Sequence, residues 1–164
     1  MRKSKKFTMN IICNQNAPEV SEIKMGIKKT SFNGCGWVAI YNIMVLCGRE
    51  VTYQEIIKYL ERNGGLILFG LLGTNPFAVC RYFKMKGMQT EKFIFPKELD
   101  DKIKTLAILY YFHSKGGHYI AIRRTEKNFV AYNVFCNSDK EQCFCSVDSF
   151  LKSYNYKPFF LITL

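Results

Sequence analysis

Histidine is nearly missing from this chain: 164 residues contain only two, His113 and His118. Any imidazole chemistry therefore has two candidates. Acidic residues are also scarce, 13 Asp and Glu against 24 Lys and Arg, for a net charge of +11. No apolar run reaches the roughly 20 residues that a membrane-crossing helix needs. Leu66-Ile67-Leu68-Phe69-Gly70-Leu71-Leu72 is apolar but brief, and it carries glycine. Thr8-Met9-Asn10-Ile11-Ile12-Cys13 is too short for a secretory core and runs into polar Asn14-Gln15-Asn16. With no signal peptide or span in view, a cytoplasmic location is the expectation. Repeats and low-complexity linkers are absent, which excludes solenoids and arrays.

The seven cysteines are odd in number and irregular in spacing. That pattern does not suggest a disulfide scaffold, and reduced thiols fit it better. Cys136, Cys143 and Cys145 cluster, but their spacing matches no common zinc pattern and no histidine is near in sequence. No metal and no organic cofactor are expected. The basic charge is uneven. Residues 1–30 hold seven basic and two acidic residues, a balance of +5. Such a surface favours anionic partners or faster encounter. No nucleic-acid motif accompanies it, so a solvated basic face is the expected reading and nucleic acid is not an expected partner.

Nearly half of the chain is apolar, and it includes 14 Phe and 10 Tyr. One packed domain follows, 31–164, after a loosely structured basic lead-in over 1–30. A buried helix is predicted from Cys35 to Cys47, closed by Gly48. Thr52 with Glu55 forms a capping box for a second helix. Thr74-Asn75-Pro76 starts a third. The period then changes. Strands are predicted at Gln89–Phe95, Thr105–Phe112, His118–Arg123, Phe129–Phe135 and Pro158–Leu164, with a short helix capped by Ser146. Helices first and strands after predict an α+β fold, an antiparallel sheet packed on the early helices.

The chemistry concentrates at Asn33-Gly34-Cys35-Gly36-Trp37. A cysteine at a helix start, flanked by glycines that permit close approach, is a candidate nucleophile. A helix N-terminus and a neighbouring imidazolium both stabilise a thiolate. His118 opens a strand after Gly116-Gly117 and is the candidate base. His113 ends the preceding strand on the loop side. Asn133 follows on the next strand. A tight turn at Thr125-Glu126 pairs residue 118 with 133; a loop centred on Glu126-Lys127 pairs 120 with 133. Either way His118 and Asn133 share a face, and the amide can orient the imidazole.

The order Cys35, His118, Asn133 resembles that of papain-like cysteine peptidases. The likeness is to the bacterial branch that includes the double-glycine leader peptidases. There, a Cys-Gly at a helix start precedes a Gly-Thr-x-Pro helix, here Gly73-Thr74-Asn75-Pro76. A His-Tyr strand and an acidic or amide residue about fifteen positions on complete the pattern. The resemblance covers about residues 30–164. It implies a papain-like fold and a hydrolase in which Cys35 is nucleophile, His118 base and acid, and Asn133 the orienting residue. The implied substrate is a peptide or other amide. An acyl or amide transferase and an idle binding module are the other readings. Such enzymes carry an oxyanion-binding glutamine about six residues before the cysteine. Lys29 stands there, leaving Gln15 and Asn33 as the candidates for that donor.

Overall fold

The computed structural model describes residues 10–135 and 138–164. Arg2, Lys3, Lys5, Lys6 and Cys136 lie outside these residues. The chain opens with a short helix α1 (Pro18–Ser21) and a hairpin of β1 (Lys24–Met25) and β2 (Lys28–Lys29). Helices α2 (Thr30–Asn33), α3 (Cys35–Leu46) and α4 (Tyr53–Arg62) follow, then a 3₁₀ turn (Ile67–Gly70) and α5 (Pro76–Met85). The second half holds β3 (Glu91–Ile94), α6 (Leu99–Lys102), β4 (Leu106–His113), β5 (Gly116–Arg124), β6 (Phe129–Tyr132), β7 (Gln142–Phe144), α7 (Val147–Ser153) and β8 (Lys157–Thr163). This is a mixed α+β architecture around a six-stranded antiparallel sheet in the order β3-β8-β4-β5-β6-β7.

The sheet has two buried faces, and strand alternation assigns residues between them. Ile108, Tyr119, Ala121, Phe160 and Ile162 pack with α3, α4 and α5. Leu109, Tyr111, Ile120, Ile122 and Leu161 pack with Leu99, Ile103 and the Val147, Phe150 and Leu151 face of α7. Ten of the twelve residues of α3 are buried, so it is a core helix rather than an amphipathic one. The three N-caps are in place, but the Glu55 carboxylate pairs with Lys86. Thr52 Oγ1 accepts from the N–H of Glu55, Asn75 Oδ1 from that of Phe77, and Ser146 Oγ from that of Ser149. Gly48, just past α3, has φ +67°, which a side chain resists.

Residues 10–30 are not a loose lead-in. Ile12, Val20 and Met25 belong to the core under α3. Asn42, fully buried on α3, accepts from the N–H of Ile12 and donates to its carbonyl, both at 2.8 Å. That side chain pairs the incoming backbone as a neighbouring strand would. Trp37 Nε1–H donates to Thr30 Oγ1 at 3.0 Å, tying α2 to α3. A polar segment of mixed pattern gives little sign of such docking, because its partners are single side chains on a distant helix.

Candidate functional site

Cys35 is the first residue of α3. Gly34, between α2 and α3, is itself helical in backbone, so the chain turns directly from one into the other. The two flanking glycines answer to the protein itself rather than to open space. A Cβ on Gly34 would lie 2.4 Å from Thr30 Cγ2, and one on Gly36 would lie 2.3 Å from Thr74 Oγ1. Thr74 therefore packs directly on the first turn behind Cys35.

Cys35 is 7% exposed and lines a cleft of about 650 Å³. The cleft lies where the α2–α3 junction meets the turn between β4 and β5, and the loop 67–74 forms its other wall. Gln15, Asn33, Tyr110, His118 and Tyr119 line it too. Tyr110 and Tyr119 stack with ring centroids 4.4 Å apart, and the Tyr119 hydroxyl donates to the Thr74 carbonyl at 2.8 Å. Burial raises both phenol pKa values, and the neighbouring Cys35 sulfur raises them further.

His118 is 6% exposed. Alternation along β5 gives its side chain the face of Ile120 and Ile122, not the α3 face that Tyr119 occupies. Its ring sits edge-on to Tyr111, centroids 5.8 Å apart, and 6.3 Å from that of His113. Ring nitrogen Nε2 lies 2.5 Å from the Asn133 carbonyl oxygen. A carbonyl can only accept, so Nε2 carries the hydrogen and Nδ1 is left as the basic nitrogen. Burial pushes the His118 pKa down to about 4, with the Asn133 carbonyl working upward and His113 downward. The imidazole is therefore neutral near pH 7. The imidazolium expected beside the thiol is corrected by this burial.

The observed register is the second of the two expected, with Ala121 opposite Tyr132 and a turn closed by the Thr125 N–H to the Asn128 carbonyl. The strand predicted to reach Phe135 stops at Tyr132, because Asn133 turns out at φ +61°. That conformation directs its carbonyl, not its amide, to the imidazole. The Asn133 side chain serves Gln15 instead. Its Oδ1 accepts from the Gln15 N–H at 3.0 Å, and its Nδ2 donates to Gln15 Oε1 at 3.1 Å. Asn133 thus meets His118 as expected, but through the backbone.

Gln15, 4% exposed, also donates from Nε2 to the Thr30 carbonyl at 3.2 Å. Held at both ends of its amide, it reaches the cleft from twenty residues before the cysteine. Lys29 points away and pairs with Glu22 at 2.6 Å. Asn33 lines the cleft with both side-chain polar atoms buried and without a partner among the described residues, and so does Thr74 Oγ1. Thr74, Tyr110 and Tyr119 carried no expectation as site residues. Only the Gly73–Pro76 motif and the Tyr beside His118 hinted at two of them.

A larger cleft, about 930 Å³, lies by β3 and Leu164 and holds no thiol or imidazole. Among the described residues no three His, Cys, Asp or Glu side chains gather closely enough to hold a metal. Cys143 and Cys145 are exposed, and Cys136, the third cysteine of that stretch of sequence, lies outside the described residues. Among the described residues no helix is long and apolar enough to cross a membrane. No protein-family model matches the sequence, and no curated protein matches it.

Proposed function

We propose that the chain is a thiol-dependent hydrolase of papain-like character acting on a peptide or other amide bond. The observation that carries this reading is the convergence of Cys35, His118 and Gln15, from three distant parts of the sequence, on one cleft. With His118 neutral, Nδ1 takes the thiol proton as sulfur attacks the substrate carbonyl, in place of a preformed ion pair. The backbone N–H of Cys35 and the second Nε2 hydrogen of Gln15 are the donors proposed for the oxyanion. The proton then passes from His118 to the leaving amine, and water releases the acyl group from sulfur.

The burial of His118 on the sheet face away from α3 favours a second reading, a papain-like binding module without turnover. Hydrolysis of a fluorogenic peptide-amide library separates the two. The hydrolase reading expects turnover by wild type and a loss of at least roughly 10³-fold in Cys35→Ala and in His118→Ala. An acyl-enzyme on Cys35, seen as a mass increment after acid quench, completes the case. Release of that acyl group only to an added amine indicates a transferase. Equal turnover by Cys35→Ala rejects the thiol mechanism, and absence of both turnover and acyl-enzyme selects the binding module.

A further inference from the structure

The loop from Ile67 to Gly73 leaves its large apolar side chains exposed. Leu68 and Phe69 are 60% and 78% exposed, and Leu72 is exposed beside them. Both Leu68 and Phe69 hold left-handed backbone, φ +48° and +56°, a conformation that costs bulky residues free energy. The loop is nonetheless firmly built. Ile67 N–H donates to the Gly73 carbonyl at 3.0 Å, and Leu71 N–H to that of Leu68 at 3.0 Å. The β1–β2 hairpin is seated on it. Ile27 N–H donates to the Phe69 carbonyl at 3.2 Å, and a Cβ on Gly26 would lie 2.2 Å from that same oxygen. Ile27, at the hairpin tip, is exposed as well.

Strained backbone that presents large apolar side chains outward is a surface made for contact. Its charge identifies the contact. Lys24 and Lys28 flank the hairpin tip and form no ion pair among the described residues; Lys28 Nζ lies 4.7 Å from the ring centre of exposed Phe32. Lys29, paired with Glu22, and Lys115, on the cleft wall, add to the positive rim. Glu61, held by the Gly26 N–H, is a second acid there. Apolar tips within a positive border match the acyl boundary and anionic headgroups of a bilayer surface.

We propose that this face, with Leu68, Phe69 and Ile27 at its centre and Lys24 and Lys28 at its edge, binds an anionic lipid surface peripherally. Ile67, Leu71 and Leu72 belong both to this loop and to the Cys35 cleft, so docking brings the cleft mouth to the membrane. The lipid surface stands apart from the hydrolase reading, because it uses neither Cys35 nor His118.

The test is co-sedimentation of the full chain with vesicles of equimolar phosphatidylcholine and phosphatidylserine, and with phosphatidylcholine alone. The wild type is expected to pellet with the first and weakly or not at all with the second. Leu68→Asn/Phe69→Asn removes the apolar tip while suiting left-handed backbone, and is expected to bind about tenfold more weakly or worse. Lys24→Ala and Lys28→Ala are each expected to weaken binding about fivefold. Unchanged near-UV dichroism shows that the variants are folded. Equal binding by the tip variant, or no vesicle binding by wild type, overturns the proposal. Without vesicle binding, a wild-type dimer dispersed by Leu68→Asn/Phe69→Asn makes the face a self-association surface. An apolar peptide captured by wild type, again without vesicle binding, makes it a peptide dock.

Discussion

At the scale of single residues, His118 has the clearest physical signature. Its pKa is depressed by burial to about 4 in the folded chain, against an ordinary value near 6.5 when unfolded. Between those values the unfolded chain binds the extra proton and the folded chain does not. Stability from neutral His118 is thus complete above about pH 6.5 and is lost as pH falls toward 4, by about 3 kcal/mol in all. Urea titrations at pH 7 and pH 4 should show that loss in wild type and a smaller one in His118→Gln. If the proposed hydrolase reading holds, the acid limb of kcat/KM for peptide hydrolysis should likewise fall near pH 4 rather than near 6.5. Asn133 gives the complementary case. Asn133→Gly keeps the carbonyl and the positive φ but cuts the tie to Gln15. Its kcat should drop no further than that of Gln15→Ala, about 10²–10³-fold if Gln15 supplies an oxyanion donor. A larger drop in Asn133→Gly returns the side chain to the orienting role. Residue types and strand order were enough to single out Cys35 and His118 as candidates; Gln15 and Asn33 entered only through the resemblance. The switch from amide to carbonyl at Asn133 rests on one backbone angle, which residue type alone does not determine.

Among the elements, those with their own punctuation were readable. Capping at Thr52, Asn75 and Ser146 is local chemistry, and so is the stop at Gly48. The β5–β6 pairing was readable as two registers; the turn selected one. Strand β7 was not, because three residues of an edge strand with exposed Cys143 carry no periodicity. The α3–Thr74 contact was also hidden, since nothing local to Gly36 announces a neighbour 38 positions away. That contact predicts a specific pair of effects. Gly36→Ala places a methyl 2.3 Å from Thr74 Oγ1 and 2.5 Å from Thr74 Cβ, and should cost about 1–3 kcal/mol by thermal or urea unfolding. Thr74→Gly added to Gly36→Ala should recover part of that loss, although Thr74→Gly alone destabilises. Strictly additive losses would mean that the two residues are not in contact.

Over the whole molecule, the site depends on the segment that precedes it. Gln15 reaches the cleft because Ile12, three residues earlier, is gripped by Asn42 in the middle of α3. Composition marked this segment as basic and polar, and its docking is invisible to periodicity because one buried amide does the holding. Asn42→Leu leaves the Ile12 N–H and carbonyl buried without partners, which should cost about 2–4 kcal/mol. If the grip also positions Gln15, the variant should lose turnover at temperatures where it remains folded. A double-mutant cycle isolates that coupling. On the proposed hydrolase reading, Gln15→Ala and Asn42→Leu should each lower kcat, and the double variant should be scarcely slower than Gln15→Ala, because the residue being positioned is already gone. Multiplicative losses in kcat would mean that Asn42 supports α3 alone and that Gln15 keeps its place through Asn133 and Thr30 without it.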